Sequence, residues 1–204
     1  MTYIENIFIC LAIPLILSLF FTKGRARSFT LFLTIGMGVC LLGAYVSSFY
    51  MGYYGVDTTV AAIEITPVCE AVMKLLPLLF YFLIFEPEPK ELPSAAIAIA
   101  VGFATFENVC YLTENGAENF TLLLIRGISA GAIHILCGIL TGFGISYVFR
   151  RRWLALTGKA GILGACTGFH AIYNLLITAD SPWNMTGYLF PPLLIACLFA
   201  VKRS

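Results

Sequence analysis

Seven apolar stretches, most of them as long as or longer than the roughly twenty residues a bilayer-spanning helix needs, leave this chain few folds to choose from. In hydrocarbon every backbone N–H and C=O must find its partner inside the protein, so only helices and closed barrels span. Stretches of this length read as helices, and they are expected near residues 3–22, 28–50, 59–85, 93–112, 120–149, 153–178 and 186–201. Of the 204 residues, 60% are hydrophobic and 11% charged, whereas a soluble domain is about 25% charged. The expectation is an all-α polytopic membrane protein, a bundle of about seven transmembrane helices forming a single transmembrane domain over residues 1–204. A net charge of +1 argues against nucleic acid as a partner; the partners expected are the lipid bilayer and a membrane-anchored protein substrate, with homo-oligomerisation left open.

The breaks between stretches carry topology. Lys23, Arg25, Arg27, the triple Arg150, Arg151 and Arg152, and the terminal Lys202 and Arg203 fall on alternate breaks. By the positive-inside rule these face the cytoplasm, which puts the N-terminus outside and the C-terminus cytoplasmic. The break at 86–91, with Lys90 among three glutamates, fits the rule least well. The first residues lack the basic region of a cleaved signal peptide, so the first stretch is expected to be retained. Seven cysteines all lie within apolar stretches, without a CxxC pair, and read as small buried hydrophobes.

Against this background the ionisable residues inside the spans stand out: Glu70, Lys74, Glu107 and Arg126, followed by His134 and His170, the chain's two histidines. A charge at mid-bilayer costs about 2.5–3.5 kcal/mol, so such residues are expected to face one another or a hydrated cavity. At 1.5 Å rise per residue, Glu107, His170, Glu70 and His134 fall roughly 8 to 21 Å below the expected outer boundary, on four different helices. A shared, outward-opening water-filled pocket accounts for that common level. Glu70 and Lys74 are spaced i,i+4 with the acid first, the favourable order for an ion pair, and His170 stacks over Asn174 at the same spacing. Pro67, one turn before Glu70, can bend the helix or free a carbonyl there. Glu107 is followed by Asn108, and Arg126 brings the buried charges to zero. The fifth stretch, rich in Gly127, Gly131, Gly138, Gly142 and Gly144, is expected to pack tightly or to break.

Two carboxylates and two imidazoles around trapped water are the parts of a hydrolase. A carboxylate can accept the proton of water, a histidine can orient it or protonate a leaving amine, and an amide such as Asn174 can hold an oxyanion. No Gly-x-Ser-x-Gly elbow supports a serine nucleophile. Two histidines and a glutamate can also hold zinc, but no HExxH accompanies them, so the preferred version uses no cofactor. A proton-coupled transporter would use similar residues, yet the chain shows no internal repeat.

The series PVCEAVMK at 67–74, GFATFEN at 102–108, Arg126 with His134, and HAIYN at 170–174 resembles the PrsW family of intramembrane proteases. That family is related to the CAAX prenyl endopeptidases and, more distantly, to a gamma-secretase scaffold subunit. Its pattern is EExxK on one helix, FxxxE on the next and a histidine on each of two later helices, here covering about residues 67–174. The resemblance implies an intramembrane endopeptidase acting on membrane-associated proteins, anti-sigma-factor-like ones among them, in a bacterial or archaeal plasma membrane. Glu70, Glu107, His134 and His170 would be catalytic, with Lys74, Asn174, Arg126, Asn108 and Phe103 in support. One position departs: where the family has a second glutamate, this chain has Ala71. Neighbours on a helix point about 100° apart, so a chemistry centred on Glu70 tolerates the change. A catalytically inactive scaffold or immunity-type relative is the alternative that Ala71 keeps open, and a metal-dependent version of the protease is the other.

Overall fold

A computed structural model describes residues 3–116, 118–148 and 156–203, and among these it contains helices and no strand. In chain order they are α1 (Ile4–Ser18), α2 (Gly24–Tyr54), α3 (Thr58–Phe85), α4 (Leu92–Asn115), α5 (Phe120–Val148), α6 (Thr157–Thr178) and α7 (Trp183–Arg203). Six of them, α2 to α7, are long and apolar enough to cross a membrane, so the protein is an all-α polytopic membrane protein. The first expected span is the exception. It stops after 15 residues, about 22 Å of helix against a hydrocarbon core of about 30 Å. Its last turn closes through Ser18, whose hydroxyl donates to the Leu15 carbonyl, and α1 lies against α2, where the Tyr45 hydroxyl donates to Glu5. The odd helix count behind the expected orientation therefore requires a short helix to cross. The arginines Arg150, Arg151 and Arg152 lie outside the described residues.

α4 is the axis of the bundle. Its contacts with α2 on one side and α5 on the other are the most extensive in the fold. Small side chains make that position available: Ala95, Ala96, Ala98, Ala100, Gly102 and Ala104 are all buried along it. In lipid, helices gain nothing from hiding apolar surface from water, so close backbone approach and dispersion must hold them together. Gly36 of α2 and Gly102 of α4 mark the closest approach. A Cβ on Gly36 would overlap the Ile99 carbonyl oxygen, and one on Gly102 would overlap that of Leu33. On the other side, a Cβ on Gly138 of α5 would sit 2.8 Å from the Ala100 Cβ, and one on Gly142 would sit 2.6 Å from the Pro93 Cα. The fifth stretch thus runs as one unbroken 29-residue helix, its glycines spent partly on packing against α4.

α3 carries a local irregularity that matters for the site. Ala61–Ile65 form a π-turn, immediately before Thr66 and Pro67. Proline has no N–H to give the carbonyl four residues back, and its ring crowds that carbonyl, so the helix widens by one residue there. Asn174 of α6 captures one carbonyl of the widened turn, its Nδ2 donating to the Ala62 oxygen at 2.8 Å.

Candidate active site

Glu70, Lys74, Phe103, Glu107, His134 and His170 come from four helices and meet in one buried cluster. On α3, the acid and the lysine stack one turn apart, and Lys74 Nζ donates to Glu70 Oε2 at 3.2 Å. The same ammonium donates to His134 Nδ1 of α5 at 2.9 Å and lies 4.2 Å above the Phe103 ring of α4. An ammonium cannot accept, so Nδ1 carries the lone pair and the His134 proton sits on Nε2. That proton is given to Glu107 Oε2 of α4 at 2.5 Å. From α6, His170 Nδ1 approaches Glu70 Oε2 at 3.3 Å, and its ring meets that of His134 edge to face with centroids 5.0 Å apart. Glu70, His134 and His170 are 7%, 1% and 4% exposed, which explains why each charge here is partnered.

A second layer fixes the first. Arg126 Nη2 pairs with Glu107 Oε1 at 3.2 Å, Nη1 donates to Asn108 Oδ1 at 2.8 Å, and the guanidinium lies 3.7 Å over the Tyr111 ring. The chain Arg126–Glu107–His134 thereby orients the imidazole and its tautomer, as a carboxylate beside a metal-binding histidine does. Below His170, Tyr173 and Ser129 share a buried hydroxyl–hydroxyl bond of 3.0 Å linking α6 to α5. Tyr111 and Tyr173 were not singled out in the sequence, although spacing offered both: Tyr111 is one turn after Glu107, and Tyr173 lies inside the HAIYN run. Asn174, expected at an oxyanion, is instead tied to Ala62.

The donor set fits a divalent metal. Glu70, His134 and His170 each offer one ligand atom, all within 4.8 Å of one another. Ligands 2.0–2.2 Å from zinc lie roughly 3.2–3.6 Å apart at the corners of a tetrahedron. The observed separations from Glu70 Oε2 are 3.3 Å to His170 Nδ1, inside that range, and 3.9 Å to His134 Nδ1, a few tenths of an ångström beyond it. Lys74 Nζ touches two of these three donors, so an incoming dication must turn the ammonium aside.

Among the described residues, a groove and a crevice reach the cluster. A groove of about 360 Å³ runs between α2, the π-turn of α3 and α4, bordered by Gly43, Ser47, Ala61 and Thr66, and ends on Glu70 and Glu107. A narrower crevice starts on the far side, at Lys74 and His170. The cluster therefore lies in the wall between an open approach and a tight recess.

The family model described as PrsW family intramembrane metalloprotease matches residues 24–201, which takes in every member of the cluster and the layer that supports it. Protease PrsW of Bacillus subtilis (strain 168) is 26% identical over 113 residues, 52% of this chain and 47% of that protein. Protease PrsW of Geobacillus kaustophilus (strain HTA426) is 26% identical over 132 residues, 61% of this chain and 54% of its own length. The chain thus spans about half the length of the curated relatives it matches. No solved structure matches. With a family match running from the second helix to the last, over a bundle whose buried acids and imidazoles converge on one point, the chain belongs to the PrsW family of intramembrane metalloproteases.

Proposed function

We propose that the chain is a membrane-embedded endopeptidase that hydrolyses a peptide bond in a membrane-anchored protein, with Glu70, His134 and His170 holding the attacking water. The convergence of three donors from α3, α5 and α6, within 4.8 Å, carries this reading. Residue 71 has no part in that convergence, which supports activity in spite of Ala71. The finer expectations, an anti-sigma-factor-like substrate and a bacterial plasma membrane, rest on the resemblance and on the bacterial relatives.

Glu70, His134 and His170 would hold a divalent cation, which when bound supplies Lewis-acid polarisation and a more acidic water. The protein's own groups supply the rest. Glu70 Oε2 is committed to Lys74 and His170, so its second oxygen is the one free to take a proton from water entering along the groove. The carbonyl oxygen of the scissile bond gains negative charge as water adds, and where no dication displaces it the Lys74 ammonium is the cation within reach to stabilise it. As the C–N bond breaks, the proton held on Glu70 passes to the leaving amine. Phe103 covers the ammonium and keeps bulk water from it. A metal-free version has one specific observation in its favour: Lys74 Nζ already supplies positive charge at 2.9 and 3.2 Å from two of the three donors.

The test is cleavage of a membrane-anchored peptide by the purified chain in detergent, with and without a chelator. Loss of cleavage on chelation and recovery with zinc is expected; full activity under chelation selects the metal-free version. No cleavage under any condition would leave an inactive scaffold. In the same assay, Glu107→Gln is expected to cost about 10- to 100-fold, because it weakens the acceptor that fixes the His134 tautomer. A loss under twofold would mean that His134 needs no such anchor.

A further inference from the structure

We infer that the crevice beyond Lys74 and His170 is a side-chain subsite, and that it selects a branched aliphatic residue, leucine or valine, as the one contributing the scissile carbonyl. The inference rests on the peptidase reading above and names the substrate feature that reading leaves open.

Three observations lead there. The first is position. The crevice opens at Lys74 and His170, the ammonium being the group placed to meet the carbonyl oxygen. A side chain one bond from that carbonyl carbon is the part of the substrate that reaches the opening, while the backbone follows the groove on the Glu70 and Glu107 side.

The second is lining. Ala71, Ala100, Gly138 and Leu163 line a crevice whose wall is mostly apolar, with Thr141 and Lys159 among its polar members. A mostly apolar wall recognises hydrocarbon by dispersion.

The third is size. The free volume is about 30 Å³, against about 360 Å³ for the groove. A short aliphatic side chain suits so narrow a crevice better than an aromatic ring. On its α4–α5 side the wall is tightly packed, since the spot where a Gly138 Cβ would stand is 2.8 Å from the Ala100 Cβ. The α4–α5 packing that builds the bundle also sets the width of the recess.

The residue that replaces the family's second glutamate thus acquires a role of its own: Ala71 lines the recess, and a larger residue there would shorten it. The test uses the full chain in detergent and membrane-anchored peptides identical except for Ala, Leu or Phe at the residue before the cleaved bond, with products read by mass spectrometry. Wild type is expected to cleave after Leu at about tenfold or more higher kcat/KM than after Phe, in line with the discrimination a few methylenes allow. Ala71→Leu is expected to lower cleavage after Leu about tenfold while leaving cleavage after Ala within about threefold. Leu163→Ala is expected to narrow the Leu-to-Phe ratio by about tenfold. If Ala71→Leu does not stay monodisperse, the Leu163→Ala ratio decides alone. Equal losses on all three peptides would overturn the subsite and identify a water route instead, and equal rates by wild type would overturn it too. Failure of wild type to cut any peptide would sink the peptidase reading, and the subsite with it.

Discussion

Replacing Glu70 by glutamine is expected to reduce single-turnover cleavage by about 10³-fold or more while the bundle stays folded. The variant removes the proposed proton acceptor and weakens one of the three proposed donors, so both versions of the chemistry predict the loss. Glutamine keeps a carbonyl oxygen where Oε2 accepts from Lys74 at 3.2 Å, so the ammonium retains a hydrogen bond in its buried setting. Glu70→Ala is the contrasting variant. It leaves a buried ammonium without its carboxylate, and a broken buried pair costs about 3–5 kcal/mol. Thermal unfolding in detergent should therefore separate the two, with the glutamine variant near wild type and the alanine variant clearly lower. Cleavage by Glu70→Gln at the wild-type rate would remove Glu70 from the chemistry altogether.

The cluster could be read from sequence because its parts are local. Glu70 with Lys74 and His170 with Asn174 are each one helical turn apart, and a buried charge in a span needs a partner wherever the span goes. Convergence followed from that need: Glu70 and His170, a hundred residues apart in sequence, lie in contact at 3.3 Å. Partners set by long-range register were not readable. Asn174 looked like an oxyanion donor because nothing near it in sequence competes, yet Pro67 widens α3 and presents the Ala62 carbonyl to it. Arg126 likewise gave away its charge but not its task of holding Glu107 and Asn108 together. Apolar content alone extended the first helix beyond Ser18, where the backbone turns.

The glycines divide in the same way, and they yield the largest effect on stability. Periodicity pointed to α5, where Gly138 and Gly142 do pack against α4, but the tightest contact is the crossing of α2 and α4. There Gly36 faces Ile99 and Gly102 faces Leu33, backbone to backbone, with no flexible side chain to move out of the way. Gly102→Leu is accordingly expected to prevent α2 from docking and to abolish the monodisperse, cooperatively unfolding species, since overpacking of even well-relaxed sites costs about 1–3 kcal/mol and a backbone clash relaxes least. The same substitution would part α4 from α2 five residues before Glu107 turns toward His134, so any protein recovered should lack activity. Gly131→Ala is the matched control: nothing lies within 4 Å of a Cβ at Gly131, and alanine gains about 0.5–1 kcal/mol over glycine inside a helix. Size-exclusion profiles and unfolding midpoints of the two variants decide the matter. A folded Gly102→Leu with a wild-type midpoint would mean that the α2–α4 crossing has room to open, and that the helices bearing the cluster are held together elsewhere.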